Sequence, residues 1–230
     1  MKYKRILLKL SGECLAGNKG NGIDFDSVLE TCREIKEISK DIEIGIVVGG
    51  GNFWRGRSNE YMDRPTADNI GMLATLMNSL VLHDAFRQIG VKSKVLTSIE
   101  INKIAEIFNK EKALEYFKEK NIVIFGGGTG NPFFSTDTGA SLRAIEIEAD
   151  AILKGTNVEG IYNKDPNKYQ DAIKYDEISY EEVLNQKLKV MDLTAISMCM
   201  ENNMKILVYN MNKKGNLKKA LNDEIGTIVK

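Results

Sequence analysis

The chain has 230 residues, and its 32 Lys and Arg residues balance 32 Asp and Glu residues, so the net charge at pH 7 is zero. This length is short for two full α/β domains, and we expect one domain over residues 1–230 with a large core. The balanced charge disfavours nucleic acid and membranes as partners, because both usually require a basic excess. It leaves room for a local basic site that binds a small anion.

Histidine and cysteine are too scarce for several kinds of catalytic site. The only histidine is His83, so a two-histidine metal site within one chain is excluded. Cys14, Cys32 and Cys199 lie far apart and form no CxxC pair, which disfavours structural zinc. Free thiols, the lack of a signal-peptide pattern and the lack of a long apolar run predict a cytoplasmic location. The chemistry must therefore come from carboxylates, lysines, arginines, backbone amides or a bound metal.

Apolar runs and helical periodicities alternate along the chain. The first half predicts a strand over 4–10, a helix over about 26–40, a strand over 42–48, a helix over about 66–88, a strand over 94–98 and a helix over 111–120. The second half predicts a strand over 121–125, a helix over 137–149, a strand over 151–154, helices over 181–186 and about 191–202, and a strand over 205–209. This alternation predicts an α/β fold with a mainly parallel sheet covered by helices.

Three of the predicted strands run into glycines. They end at Ser11-Gly12, at residues 49–51 and at residues 126–130. In open α/β sheets, ligands bind outside the carboxyl ends of the strands, and bare glycine amides let an anion approach closely. We therefore predict an anion-binding crevice along one sheet edge, although neither the P-loop pattern nor the Rossmann glycine pattern occurs.

Basic side chains accompany the first two glycine ends. Lys9 stands between two leucines near the end of its strand, where it could stabilise a transferring phosphoryl group or lie on a solvated face. Arg55 and Arg57 follow the second glycine run, where they could bind phosphate in a bidentate manner or be solvated at a tight turn. Phosphate binding is the interpretation we favour for the arginines.

The segment 128–137 combines glycines, hydroxyls, an amide, two aromatic rings and a carboxylate. Such groups can bind a base or a sugar, although Ser135 or Thr136 could simply cap the helix that follows. We favour a binding loop. Asp68 and Asp192 also stand near predicted helix starts, where capping is the alternative to a binding role. His83 is interpreted as a structural residue in the middle of a helix.

Five motifs in collinear order resemble those of the bacterial UMP kinases, which belong to the amino acid kinase superfamily. The motifs cover residues 9–13, 49–56, 68–75, 128–134 and 190–193, and the GTGNPFF stretch is among the most specific. The resemblance spans nearly the whole chain. It implies a three-layer α/β/α sandwich and the reaction of ATP with UMP to give ADP and UDP, an early step of pyrimidine nucleotide supply that uses Mg²⁺.

The resemblance also implies site residues. The implied catalytic residues are Lys9, Arg55, Asp137 and Asp192. The implied ATP side comprises Lys9, Leu10, Ser11, Gly12, Gly51, Arg55, Thr156, Tyr162 and Asp165. The implied UMP side comprises Gly50, Asp68, Thr129, Gly130, Asn131, Pro132, Phe133, Phe134, Ser135 and Thr136. No direct metal ligand is assigned; Asp137 and Asp192 match acidic positions close to the phosphates and are expected to organise Mg²⁺ and Lys9, directly or through water.

Regulation and assembly are further implications of the resemblance. Many UMP kinases are homohexamers activated by GTP and inhibited by UTP, with a dimer contact through the long helix. The segment linked to GTP activation matches Gly17, Asn18, Lys19, Gly20, Asn21 and Gly22, which also has the composition of a mobile loop. Two alternatives stay open: another amino acid kinase that acts on a carboxylate or carbamate, and a non-catalytic nucleotide-binding protein.

Overall fold

The computed structural model describes residues 2–55 and 61–230, so the predicted phosphate ligand Arg57 lies outside the described residues. The strands are β1 (Arg5–Leu10), β2 (Glu43–Val48), β3 (Ser93–Thr97), β4 (Glu106–Ile107), β5 (Ile122–Gly126), β6 (Ala151–Thr156), β7 (Glu177–Ile178), β8 (Lys205–Asn210) and β9 (Thr227–Val229). The helices are α1 (Phe25–Ile38), α2 (Arg64–Gln88), α3 (Lys110–Lys118), α4 (Thr136–Glu146), α5 (Tyr180–Asn185), α6 (Leu193–Glu201) and α7 (Asn216–Leu221).

The described strands form one sheet of nine strands in the order β4-β3-β5-β2-β1-β6-β8-β9-β7. Every neighbouring pair is parallel except β8 and β9, which are antiparallel. The predicted α/β fold with a mainly parallel sheet is therefore confirmed. Because parallel strands share one direction, the carboxyl ends of β1, β2, β5 and β6 meet at one edge.

The two faces of the sheet pack against different helices. Ile6, Leu8 and Leu10 belong to a buried cluster with residues of α1, α2 and α7. Leu7 belongs to a second buried cluster with residues of α3, α4, α5 and α6. Side chains alternate along a strand, so Lys9 shares the face of Leu7 and lies on the side of α4. Burial on both faces explains why the central strands read as continuous apolar runs.

Several predicted helix starts are confirmed by their caps. The side chain of Asp24 accepts a hydrogen bond at the start of α1, that of Ser135 at the start of α4, and that of Asp192 at the start of α6. His83 is structural as predicted: its Nδ1 lies 2.9 Å from Ser93 Oγ, and burial lowers the pKa of the imidazole. In the described ranges, no helix is long and apolar enough to cross a membrane.

Candidate active site

Two lysines on neighbouring strands bracket one carboxylate. In the parallel pairing of β1 with β6, Lys9 lies beside Lys154, and both point to the face covered by α4. Asp137, in the first turn of α4, has its Oδ1 2.9 Å from Lys9 Nζ and accepts a hydrogen bond of 2.7 Å from Lys154 Nζ at Oδ2. Lys154 Nζ also donates to the carbonyl oxygen of Val190 at 2.5 Å. We call Lys9, Asp137 and Lys154 the central triad.

The central triad is largely buried and carries a net positive charge. The side chains of Lys9, Asp137 and Lys154 are 13%, 17% and 12% exposed. Burial opposes ionisation of Asp137, but the two ammonium groups outweigh burial and hold its pKa below the usual value. Burial lowers the pKa of Lys154, and the Asp137 carboxylate opposes that change. Two positive charges against one negative charge at this edge of the sheet favour an anionic ligand such as phosphate.

The triad is open to solvent on one side. Asp137, Lys154 and Asp192 line a cavity of about 840 Å³. Asp192 itself is engaged with α4 and α6: it accepts hydrogen bonds from the Thr138 hydroxyl at 3.0 Å, from the Ser135 hydroxyl and from the Ala195 amide at 3.1 Å. The structure therefore brings Asp137, but not Asp192, into contact with Lys9.

The glycine ends of β1 and β2 pack against each other and against α2. A Cβ atom on Gly12 would lie 2.5 Å from the carbonyl oxygen of Gly49. A Cβ atom on Gly50 would lie 2.8 Å from the Cβ of Ala74 and 3.0 Å from the carbonyl oxygen of Gly71. No real Cβ fits at such distances, so the backbone approaches that build this edge require glycine at both positions.

A buried pair of asparagines fixes the turn after β2. Asn52 and Asn78 exchange side-chain hydrogen bonds of 3.0 and 2.7 Å, and Asn78 Nδ2 also donates to the carbonyl oxygen of Gly49 at 2.7 Å. Asn52 Nδ2 donates to the carbonyl oxygen of Gly22 at 2.8 Å, and the Gly22 amide donates back to the carbonyl oxygen of Asn52 at 2.8 Å. The segment 17–22 is therefore joined at its end to the glycine turn and, through Asn78, to α2.

A cavity of about 210 Å³, which we call the α2 cavity, lies between α2, the glycine turn and the loop before α4. Seven of the residues predicted for the UMP side line it: Gly50, Asp68, Thr129, Asn131, Phe134, Ser135 and Thr136. Gly51, predicted for the ATP side, lines the same cavity. Gly130, Pro132 and Phe133 are the predicted UMP-side residues outside its lining. Trp54 also lines it, and its Nε1 donates to the carbonyl oxygen of Ala67 at 2.9 Å.

Asp68 holds the loop that closes this cavity. Its Oδ2 accepts hydrogen bonds of 2.7 Å from the Phe133 amide and of 2.7 Å from Arg64 Nε. The Arg64 guanidinium lies over the Phe133 ring at 5.4 Å, and Phe133 has a φ of 75°, which is uncommon for a residue other than glycine. Sequence reasoning missed Arg64, although its position four residues before Asp68 on one helix was a usable signal.

A third cavity of about 660 Å³, the α1 cavity, borders the other side of β1. Ser11 and Arg55 of the predicted ATP side line it, together with Gly17, Asn18 and Gly20 of the segment 17–22. Arg55 forms an ion pair with Glu13 at its rim. Two residues of the predicted ATP side therefore share one cavity with three residues of the segment 17–22.

The remaining predicted ATP-side residues lie beyond the α1 cavity lining. Thr156 Oγ1 lies 2.9 Å from the carbonyl oxygen of Val158 and 3.2 Å from that of Tyr209, and its single proton can be donated to either, so the hydroxyl is occupied within the strand ends. Tyr162 forms an isolated bridge with Lys174. Asp165 is exposed and accepts a hydrogen bond of 3.0 Å from the Asn167 amide in a turn.

The carboxylates of the site do not form a metal cage. Over residues 2–55 and 61–230, no group of three or more His, Cys, Asp and Glu side chains could hold a metal ion. Both oxygens of Asp137 face lysines, and Asp192 accepts hydroxyl and amide hydrogen bonds. Mg²⁺ typically keeps several waters and binds through substrate phosphates with one or two carboxylates, which fits this donor set.

Comparisons with known proteins agree with this architecture. Residues 4–210 match the model of the amino acid kinase family, and the chain belongs to that family. UMP kinase from Bacillus anthracis is 37% identical with a TM-score of 0.95, covering 99% of this chain and 96% of that chain. UMP kinase from Ureaplasma parvum is 39% identical with a TM-score of 0.94, covering 100% of this chain and 99% of that chain. Uridylate kinase from Archaeoglobus fulgidus is 25% identical with a TM-score of 0.72, covering 98% of this chain and 99% of that chain.

These similarities define the class of the protein. The family match and the two full-length UMP kinase structures make the chain a kinase, that is, a phosphotransferase with an α/β/α fold. The predicted resemblance to UMP kinases is confirmed. Sequence reasoning missed Lys154 as a member of the site, although it stands, like Lys9, near the end of a predicted strand that runs into glycine.

Proposed function

We propose that the protein transfers the γ-phosphoryl group of ATP to UMP, giving ADP and UDP. The observation that carries the proposal is the central triad at the carboxyl edge of the sheet. Strand β1, which bears Lys9, lies between β2, whose glycine turn borders the α2 cavity, and β6, which leads to Asn157 in the α1 cavity. The high identity to two UMP kinases supports UMP as the acceptor.

In this proposal, UMP occupies the α2 cavity. Its phosphate lies near the amides of Gly50 and Gly51, and Asp68 binds the ribose. The loop residues Thr129 to Thr136 surround the uracil, with Asn131 and Thr129 as hydrogen-bonding groups on the cavity wall. Hydroxyl and amide groups at a loop give an orientation to a base that an apolar pocket alone would not.

ATP occupies the opposite side of β1 in the proposal. Ser11, Gly12 and Arg55 bind its phosphates, and Thr156, Tyr162 and Asp165 lie toward the adenosine. Mg²⁺ bound to ATP would neutralise developing charge on the phosphates, and Asp192 or Asp137 would hold it through water. Both oxygens of Asp137 face lysine ammonium groups and Asp192 accepts several hydrogen bonds, and these contacts support the indirect role.

The two lysines then stabilise the transition state. Charge spreads over the equatorial oxygens of the transferring phosphoryl group, and catalysis depends mainly on alignment and electrostatic stabilisation. In the described residues, Lys9 makes one ion pair, with Asp137, so a short movement of Nζ can reach a phosphate. Lys154 is held by two acceptors and keeps Asp137 in place. The attacking UMP phosphate is already an anion, so no general base is required.

A coupled ADP-release assay tests the proposal. We expect turnover with UMP and much less with CMP or dUMP, and none with aspartate, glutamate, N-acetylglutamate or carbamate. Turnover with a carboxylate or carbamate but not UMP would favour another amino acid kinase activity. No turnover with any acceptor would favour a nucleotide-binding protein without catalysis. In the same assay, Lys9→Ala should lower kcat by about 100-fold or more without loss of fold.

Assembly and regulation extend the proposal. We propose a cytoplasmic homohexamer of one-domain subunits over residues 1–230, in which Leu73 and Met77 of α2 contact a neighbouring copy. Both side chains are nearly half exposed on the long helix, an apolar surface that a second copy would cover. We also propose activation by GTP through the segment 17–22 and inhibition by UTP. Sedimentation tests the assembly, and initial rates with and without each nucleotide test the regulation.

A further inference from the structure

The wall of the α2 cavity includes a glycine loop, residues 126–130, whose backbone has little intrinsic preference for its shape. Gly127, Gly128 and Gly130 have φ values of 80°, 58° and 80°. Glycine loses more conformational freedom on folding than any other residue, so contacts from outside must hold such a loop in one conformation. Gly128 and Thr129 line the α2 cavity, and the shape of this loop therefore sets the shape of that cavity.

Ser98, which directly follows β3, packs against the glycine loop. Its Oγ donates a hydrogen bond of 2.8 Å to the carbonyl oxygen of Gly128, and its amide donates one of 3.0 Å to the carbonyl oxygen of Gly126. A Cβ atom on Gly130 would lie 2.7 Å from the Ser98 carbonyl oxygen, so the two backbones touch at this position. Ser98 therefore contacts the loop at three residues, Gly126, Gly128 and Gly130.

A buried arginine orients the Ser98 hydroxyl. Arg143 Nη2 donates a hydrogen bond of 2.9 Å to Ser98 Oγ. A hydroxyl has one proton and two lone pairs, so a donor from Arg143 directs that proton away from itself and toward the Gly128 carbonyl oxygen. These hydrogen bonds connect Arg143 on α4, through Ser98, to the Gly128 carbonyl oxygen in the wall of the α2 cavity.

Burial of the charged Arg143 side chain at this position is unfavourable in free energy. It is 5% exposed, and its Nε is buried with no hydrogen-bond partner among the described residues. Its guanidinium lies 3.8 Å from the Phe108 ring centroid and pairs with Glu146, while burial lowers its pKa. A well-packed apolar side chain of similar volume often replaces a buried ion pair at little or no loss of stability. What an apolar side chain could not do here is donate to Ser98.

We infer that Arg143 and Ser98 are positioning residues that fix the glycine loop for binding of the phosphoryl acceptor. They touch neither the central triad nor the α1 cavity, so their effect falls on the acceptor rather than on ATP. The inference rests on the proposed function, because it takes the α2 cavity as the UMP side.

Ser98→Ala is the first test, measured by steady-state kinetics with each substrate varied in turn. Loss of a hydrogen bond that shapes the cavity should raise KM for UMP about five- to tenfold, while KM for ATP stays within about twofold. The matched control is Ser93→Ala at the start of β3, which removes a buried hydroxyl that contacts His83 far from the loop. That control should leave both KM values unchanged.

Arg143→Met is the second variant, because it keeps an unbranched side chain but cannot donate to Ser98. It should raise KM for UMP at least as much as Ser98→Ala, and the double variant should add little to the larger single effect. If the unmodified enzyme turns over UMP but Ser98→Ala leaves the KM for UMP unchanged, the inference is overturned while the proposed function stands. Equal increases in both KM values would also overturn it, since they indicate a general structural defect. Absence of UMP turnover in the unmodified chain would overturn the proposed function itself.

Discussion

Replacement of Asp137 by asparagine tests the electrostatics of the central triad. Asparagine keeps the size of the side chain but removes the charge that two buried ammonium groups face at 2.9 and 2.7 Å. Breaking a buried ion pair by removing one partner costs about 3–5 kcal/mol, and here two partners lose their counterion. A loss of about 4 kcal/mol with a urea m-value of about 2 kcal/mol per molar lowers the midpoint of unfolding by about 2 M.

The charges of the triad also predict how the stability loss in Asp137→Asn changes with pH. Burial already lowers the pKa of Lys154, and removal of the opposing Asp137 carboxylate lowers it further. A lysine with a native pKa below its unfolded value of about 10.4 binds more protons when unfolded, so stability rises as pH increases toward that value. The difference in unfolding free energy between the original protein and Asp137→Asn should therefore shrink from about pH 6 to about pH 9.5.

In acid, the difference in unfolding free energy between the two proteins should change with pH in the opposite direction, because it should shrink as pH falls. Because the native pKa of Asp137 is depressed, its contribution is present above the unfolded value of about 3.9 and is lost as pH falls through the native value. The control is Asp176→Asn, which breaks the ion pair of Lys174 with a 94% exposed carboxylate and should cost less than about 1 kcal/mol. Urea unfolding measured by circular dichroism at several pH values gives all of these quantities. Equal losses of unfolding free energy in Asp137→Asn and Asp176→Asn would refute this account of the triad. So would a difference between the original protein and Asp137→Asn that does not change with pH.

Three further changes probe the proposed role of Lys154, the glycine turn and the proposed assembly. Lys154→Met should lower kcat by about 100- to 1,000-fold with little change in KM for UMP, and steady-state kinetics showing a loss confined to KM would contradict its role. Gly50→Ala places a Cβ 2.8 Å from that of Ala74, so thermal unfolding should reveal a loss of about 1–3 kcal/mol, and a Tm equal to that of the original protein would disprove the close contact. Leu73→Lys combined with Met77→Lys should give subunits of lower mass in sedimentation, whereas an unchanged assembly would place the contact elsewhere.

Lys9 and Lys154 show how much of the site could be predicted from the sequence. Each stands on a strand that pattern alone predicted, and each lies near the strand end in an apolar setting. Only Lys9 was assigned a catalytic role, because the pairing of β1 with β6 is set by sheet order and register. Those are properties of the whole sheet, and residues far apart in sequence determine them.

The aspartates illustrate a different limit. A short sequence window could not decide whether Asp68 and Asp192 cap helices or serve a site. Asp192 caps α6 and also binds the loop before α4, while Asp68 lies in the second turn of α2 and holds the Phe133 amide. Both contacts join elements that are distant in sequence. The hydrogen-bond partners of the two aspartates therefore could not be predicted without the tertiary structure.

Short elements at the edge of the sheet were not predicted at all. β4 and β7 have two residues each and β9 has three, so none of these strands is long enough to develop a periodic apolar pattern. Their positions depend on pairing with longer strands, as β9 does on β8. The long buried strands that carry the site were the ones that pattern could find, because burial on both faces made them continuously apolar.

The position of β1 in the sheet has a consequence for how substrate choice can change. On the proposed assignment, the strand that bears Lys9 separates a donor half, built on β6 and β8, from an acceptor half, built on β2 and β5. Each half forms its own loops at the common edge, and the phosphoryl group crosses only one strand. Substitutions in the acceptor loops can therefore exchange one phosphoryl acceptor for another while nucleotide binding and the transfer chemistry persist. Such a layout lets the acceptor change around one unaltered transfer centre.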